Sequence, residues 1–246
     1  MRIAIVTDIH EDFCMLEKSL DVLGDKGYDI LVCLGDITGF SPRFYDHKPD
    51  AEACIDFLRE HSQLTVAGNH DLHTAKRLPS YHAQYKIPEC WHDLPIDQQL
   101  QLTKDRLWLY EDEIIPKISA QNLTFLQNLK EWDTIEEHGK KYLFSHFFSP
   151  DFAGIEKRFL TNSIGVWPHF RFMAENDCCL SFVGHAHPPG PSIVSRLAWR
   201  NHGYKSTIVK VKPGAVICPA ATENLRPACC TIFDTAKNEI IPILII

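Results

Sequence analysis

The order of apolar stretches along these 246 residues predicts an α/β fold of four layers, two mixed sheets packed face to face with helices outside. Three observations carry that expectation. Strand-like and helix-like runs alternate through the N-terminal part, each strand-like run there ends in polar residues, and the second half is mostly short apolar runs separated by turn residues. Alternation with short connections predicts parallel strands with helices on their faces and a ligand crevice at the strands' carboxyl ends. A further set of apolar strands is best buried by a second sheet laid on the first.

In order, RIAIVTD is a strand rich in β-branched residues, and LEKSLDVLGDKG sets Leu16, Leu20 and Leu23 at helical spacing before a glycine stop. DILVCLGD is the second strand, AEACIDFLREH an amphipathic helix, and LTVAGNHD a third strand running into Gly68. From about residue 76 to 130 the pattern turns helical, in QQLQLTKDRLWLYEDEII and in SAQNLTFLQNLKEW, where Leu123, Leu126 and Leu129 share a face. This stretch is expected as a helical insertion over the sheet. KKYLFSH, CLSFVGH, SIVSRLAW, STIVKVK, GAVICP and ACCTIFD are then strand candidates, with one or two helices between residues 152 and 176. No repeat, low-complexity tract or linker interrupts the chain, so residues 1–246 are expected to form one domain.

Composition narrows the function classes. Hydrophobic residues at 45% and charged residues at 23% describe a globular chain with a filled interior. A net charge of -7, from 25 basic and 32 acidic side chains, disfavours a nucleic-acid partner bound by phosphate neutralisation. A small phosphorylated substrate stays open if metals supply positive charge locally. The apolar start of MRIAIVTD is too short for a signal peptide core, and IIPILII is far below membrane-spanning length, so no membrane partner and a cytoplasmic location are expected. Nine cysteines include the adjacent pairs Cys178-Cys179 and Cys229-Cys230 in strand-like runs, without any C-x-x-C. Neighbours in a strand face opposite sides, which fits reduced thiols in doubly buried sheets better than disulfides.

Polar clusters close the strands in a fixed order. They are Asp8 and His10, then Gly35 and Asp36, then Gly68 to Asp71, then Ser145 and His146, and last Gly184 to His187. One such cluster is ordinary turn chemistry, but five in succession, four of them with histidine, are not explained by turns. In CLSFVGHAHPP, His185 and His187 stand two apart in an extended stretch and therefore share one side of the chain. Imidazole, carboxylate and amide oxygens suit a borderline divalent metal, and the absence of cysteine from these turns argues against a structural zinc site.

The series D-x-H, G-D, G-N-H-D, H, G-H-x-H resembles the calcineurin-like metallophosphoesterases from Met1 to about Asp234. Within them it is most similar to small bacterial and archaeal phosphodiesterases related to diadenosine tetraphosphatases, through LGDITGFSP, NLTFLQNL and VKPGAV. The resemblance implies two divalent transition-metal ions, manganese first among candidates in vitro, with iron, zinc, nickel or cobalt as others. It puts Asp8, His10 and His187 on one ion, Asn69, His146 and His185 on the other, and Asp36 between them. A water shared by two such ions becomes a hydroxide nucleophile near neutral pH. His70 is then a catalytic acid or a charge stabiliser beside the phosphate, and Asp71 either orients it or caps the helix that follows.

The implied activity is hydrolysis of a small phosphodiester or nucleotide. A phosphomonoesterase or phosphoprotein phosphatase is the alternative, but that branch carries an arginine after the second aspartate, where this chain has Ile37-Thr38-Gly39-Phe40. Scaffold members of the fold lose metal histidines, and this chain keeps them. Departures from the pattern are Glu11 and Asp12 after His10, read as extra carboxylates near the site or as helix caps. Phe147-Phe148-Ser149-Pro150 after His146 reads as a pocket wall or, preferably, as packing. Lys212-Pro213-Gly214-Ala215-Val216 is expected to remove polar groups near the site. His47, His61, His82, His92, His138, His169 and His202 are expected on the surface or on helix faces. Arg43, Arg77 and Arg226 are candidate phosphate contacts set against the commoner role of solvated arginines, and Trp91 and Trp108 are expected to be core packing rather than a lid.

Overall fold

In the computed structural model, residues 1–82, 85–158, 160, 162–205, 207–223 and 227–245 are described. Their strands are β1 (Arg2–Val6), β2 (Ile30–Cys33), β3 (Leu64–Thr65), β4 (Trp132–Glu137), β5 (Lys140–Ser145) and β6 (Cys178–Val183), followed by β7 (Ser192–Val194), β8 (Trp199–Asn201), β9 (Val209–Lys210), β10 (Val216–Cys218), β11 (Cys229–Asp234) and β12 (Glu239–Leu244). The helices are α1 (Phe13–Lys26), α2 (Ala51–His61), α3 (Asn69–Thr74), α4 (Ile96–Thr103), α5 (Ala120–Asn128) and α6 (Trp167–Glu175).

Two six-stranded sheets result, in the orders β3-β2-β1-β11-β12-β9 and β4-β5-β6-β10-β7-β8. Both are mixed. β1, β2 and β3 run parallel while β11 meets β1 antiparallel; β5, β6 and β10 run parallel while β4 and β7 pair antiparallel with β5 and β10. The two-residue period of a strand assigns each face. Ile3 and Ile5 of β1 point between the sheets, with Val32, Leu34, Tyr142, Phe144, Phe182 and Phe233, whereas Ala4 and Val6 point outward to Leu16, Leu23, Ile55 and Leu58 of α1 and α2. On the other outer face, Leu143, Val183 and Val216 meet Phe170 and Met173 of α6. The layers are therefore helix, sheet, sheet, helix, as expected. Phe144 and Phe182 stack with centroids 5.3 Å apart, and burying each such ring contributes on the order of 1.5–3 kcal/mol.

Local chemistry sets the ends of α1. Asp12 accepts the Met15 N–H at 3.1 Å as the N-cap, and Gly27 leaves the helix at φ 73°. Asp12 is thus a helix cap.

Several elements differ from the sequence expectation. Among the described residues of 76–130 the α-helices are α4 and α5. Lys104 and Asp105 take left-handed φ of 52° and 54°, which ends α4, and Leu107 and Ile114 then form isolated bridges to Glu156 and Phe40. That stretch reads as helical because it is apolar on both sides: Leu107 and Leu109 pack into the outer core, while Trp108 and Tyr110 face a cavity. SIVSRLAW folds as the β7–β8 hairpin rather than one strand. The partly polar WDTIEE becomes β4 at the sheet edge, and the apolar C-terminal run becomes β12, where Pro242 lies beyond the short pairing with β9. The KPGAV turn lies at the start of β10, at the opposite end of its sheet from the carboxyl ends of β5 and β6, so it does not act near the site.

Candidate metal centre

The five polar clusters meet at the carboxyl ends of β1, β2, β5 and β6 and at the start of α3. Short turns leave each strand, and Asp8, His10, Asp36, His185 and His187 all adopt positive φ, from 40° to 66°. Left-handed backbone at non-glycine residues costs about 1–3 kcal/mol each, and it is tolerated where the surroundings enforce it, commonly at functional sites. The glycines of these clusters permit close approach: a Cβ on Gly68 would run into Asp36 Oδ1, and one on Gly184 into Thr7 Oγ1.

Outer partners orient the imidazoles. His10 Nδ1 donates to Gly39 O at 3.0 Å, His146 Nδ1 to Leu34 O at 2.8 Å, and His187 Nδ1 to Glu223 Oε1 at 3.1 Å. Because each partner only accepts, each Nδ1 carries hydrogen and each Nε2 of the neutral ring turns a lone pair inward. His10 Nε2 and His187 Nε2 then lie 3.2 Å apart, with His187 Nε2 3.3 Å from Asp8 Oδ1. His146 Nε2 lies 3.1 Å from His185 Nδ1 and 3.0 Å from Asp36 Oδ2. Converging lone pairs and carboxylates repel one another unless a cation or protons come between them. Asn69 Oδ1 is buried without a hydrogen-bond partner among the described residues. The donor set therefore fits divalent metal ions, in the groups Asp8, His10, His187 and Asp36, His146, His185, whose ligand atoms lie within 4.8 Å of one another.

Electrostatics agree. Burial, aided by neighbouring imidazoles and only partly opposed by the Asp36 and Asp8 carboxylates, lowers His10 and His185 to about 3. Burial also opposes charge on His146 and His187, yet the Asp36 and Asp8 carboxylates outweigh it and raise them to about 9 and about 10. For Asp8 and Asp36, burial pushes upward, but the facing imidazoles hold both below the usual carboxylate range. The cluster thus attracts positive charge, whether protons or metal.

His70 opens α3. Its backbone N–H donates to Asp36 Oδ1 at 3.0 Å, and its Nδ1 meets Glu113 Oε1 at 2.9 Å. Its ring lies nearly parallel to Tyr110, with centroids 5.7 Å apart. Burial disfavours its charged form, but Glu113 and Asp36 raise it to about 9, while His70 helps hold the buried Glu113 carboxyl down at about 2. His70 also falls within reach of His10 and Asp36 as a third possible ligand group. Among the described residues no hydrogen bond joins Asp71 to His70, although the Asp71 charge acts on that ring. Its carboxylate accepts from the N–H groups of Asp36, Ile37, Thr38 and Gly68 at 2.8 to 3.1 Å, so it fixes the Asp36 turn and caps α3. Glu11 similarly braces Gly39 and Phe40; burial is the main cause that lifts it to about 7.

Beside the ligands lies a cavity of about 740 Å³ whose walls include Phe44, Tyr45, Trp108, Tyr110, Phe147, Phe148, Trp199 and Arg158. Trp91 is core packing as expected, but Trp108 is not, since it lines this cavity. Phe147 both packs in the interior and forms the wall, with its ring centroid 4.7 Å from that of His185. Arg77 is committed to the carbonyls of Gln127 and Leu129, and Arg43 lies over the Phe44 ring; Arg226 falls outside the described residues. His169 is fully buried rather than at the surface, accepting from Ser149 N and bonded to Ser181 Oγ, both at 2.9 Å. His47 is half-buried, with Nε2 2.9 Å from the His10 carbonyl.

Sequence reasoning missed Glu113, Glu223 and Arg158. None follows an apolar strand directly or recurs with a period, so only an acidic residue in the same linear neighbourhood as Trp108 and Tyr110 hinted at Glu113.

A family model described as calcineurin-like phosphoesterase matches residues 1–189, which include all seven expected ligands. An uncharacterized protein of Methanocaldococcus jannaschii is 29% identical over 190 residues, covering 76% of this chain and 63% of that protein, so the chain matches less than two thirds of the relative's length. Among solved structures, a metallophosphoesterase from Sphaerobacter thermophilus aligns with a TM-score of 0.65 at 21% identity, over 100% of this chain and 88% of its own. A hypothetical protein from Pyrococcus horikoshii aligns at 0.59 and 16% identity, over 99% and 87%. At such identities these structures speak for the fold.

Proposed function

The chain belongs to the calcineurin-like phosphoesterase family, whose members are metal-dependent phosphoester hydrolases, and from that premise we propose that it is a dinuclear hydrolase of small phosphodiesters or nucleotides. The observation that carries this reading is the pair of imidazole sets, His10 with His187 and His146 with His185, each in a candidate ligand group and flanking Asp36. We assign Asp8, His10 and His187 to one ion, Asn69, His146 and His185 to the second, and Asp36 to both. Manganese is our first choice in vitro, with iron, zinc, nickel or cobalt as alternates. Two such ions, when bound, would supply Lewis-acid charge to phosphoryl oxygens and lower the pKa of a water.

The protein's own groups do the rest. Neutral imidazoles leave the positive charge of the site intact for an anionic substrate, and Asp36 offsets the repulsion between two cations. His70, held at Nδ1 by Glu113, presents Nε2 and its proton to the leaving oxygen. The aromatic walls exclude water and take a planar organic group such as a base or phenol. Ile37-Thr38-Gly39-Phe40, in place of an arginine clamp, favours diesters over phosphoproteins, in line with the small diesterases related to diadenosine tetraphosphatases. In this reading residues 1–246 act as one domain, since β11 pairs directly with β1.

The test is turnover by manganese-loaded protein. Bis(p-nitrophenyl) phosphate should be hydrolysed faster than a phosphoserine peptide, and the reverse order would overturn the diesterase assignment.

A further inference from the structure

Arg158 lies in the cavity wall beside the ligands, and among the described residues that line this cavity it is the one arginine or lysine. Its Nε and Nη2 are buried and have no hydrogen-bond partner among the described residues. A guanidinium is a permanent cation with five donors, and burying two of them unpaired is costly, so turning the side chain to meet an anionic ligand in the cavity is favoured. The carboxylates nearby do not complete it: Asp151 accepts from Ile155 N and Glu156 N at 3.0 Å, and no ion pair joins Arg158 to an acid among the described residues.

Placement is specific as well. Arg158 Cζ lies 5.9 Å from the centroid of Phe147, and the His185 ring centroid lies 4.7 Å from that same centroid, so the guanidinium and a candidate ligand imidazole neighbour one phenyl ring. The backbone is pinned, with Arg158 N donating to Glu156 O and Lys157 N to Arg106 O, both at 2.7 Å, and with Trp108 N donating to Ile155 O at 2.9 Å. Arg158 and Trp108 therefore stand on adjoining segments of one wall.

We propose that Arg158 is a specificity-determining residue that receives a second, uncleaved anionic group of the substrate while the scissile phosphate sits at the ligand cluster. The inference rests on the phosphoesterase reading and narrows it: the substrate is a phosphoester with a further phosphate, such as a nucleotide carrying two phosphoryl groups. A guanidinium pairs with two phosphate oxygens at once and adds geometry to charge.

Calorimetric binding to the metal-loaded full chain tests this without needing turnover. AMP offers one phosphate, while ADP and adenosine bisphosphate (phosphates on the two ribose ends) offer a second one near or far. Wild type should bind at least one two-phosphate ligand about tenfold or more tightly than AMP, and Arg158→Ala should erase that preference, as expected for one charge-assisted contact. If Arg158→Ala fails to fold, Arg158→Gln removes the charge at similar length and the same ratio is read. An unchanged ratio, or equal weakening of all three ligands, overturns the proposal. Wild-type turnover of bis(p-nitrophenyl) phosphate on the same sample judges the phosphoesterase reading separately.

Discussion

Replacing Glu113 by glutamine tests whether His70 acts as a proton donor. The Glu113 side chain is 4% exposed and its Oε1 is 2.9 Å from His70 Nδ1. A hydrogen bond of this kind, to a charged group, contributes about 1.5–3 kcal/mol. If the proton on His70 moves to the leaving oxygen, losing the carboxylate weakens the group that holds the ring, and roughly 10- to 100-fold in turnover should follow at about 1.4 kcal/mol per decade. The assay is kcat over aryl phosphodiesters from p-nitrophenol to phenol leaving groups, with metal content measured on each sample. The loss should be largest for phenol and small for nitrophenol, with metal retained. His70→Ala should lose about 10²- to 10⁴-fold on the poor leaving group. Adding Glu113→Gln to it should cost little more, because both changes act on one proton transfer. A uniform loss across leaving groups, or full additivity, would refute the reasoning. Asp71→Asn is the contrast: its carboxylate accepts from four backbone N–H groups that hold the Asp36 turn, so this variant should lose metal and stability without leaving-group dependence.

Two further outcomes follow from buried partners. Glu223→Gln weakens the hold on His187 Nδ1, so metal affinity measured by chelator competition should fall about 10- to 100-fold, the usual effect of removing such an orienting partner. His169 is held at about 3 by burial, below its ordinary value, and its Nδ1 accepts from Ser149 N. Below about pH 6.5 the unfolded chain binds a proton at His169 that the native protein refuses, so stability should fall with pH by up to about 1.4 kcal/mol per unit from this group. Urea unfolding between pH 6.5 and 4.5 should show a shallower slope in His169→Asn, and an identical slope would exclude His169 as a cause.

The residues that meet at the candidate site were legible because each lies just past an apolar strand or at the start of the helix that follows one. Asp8 follows β1, Asp36 follows β2, His146 follows β5 and His185 follows β6; parallel strands bring such ends to one edge. Glu113 and Glu223 were not legible. They reach His70 and His187 from irregular segments, where no periodicity marks which side chain turns inward. Apolar content also misled at RLWLY, where consecutive large residues look like a helix but serve an extended segment with core on one side and cavity on the other. His169 shows the converse limit. A histidine on a helix reads as surface until two specific partners, Ser149 and Ser181, satisfy both ring nitrogens.

Metal stoichiometry of Asp36→Asn, set beside wild type and His187→Ala, tests the two-ion account most directly. Elemental analysis should give two ions per chain for wild type, about one for His187→Ala, and fewer than one for Asp36→Asn, because the carboxylate between the two imidazole sets offsets the repulsion of both cations. Two tightly held ions and normal turnover in Asp36→Asn would contradict it.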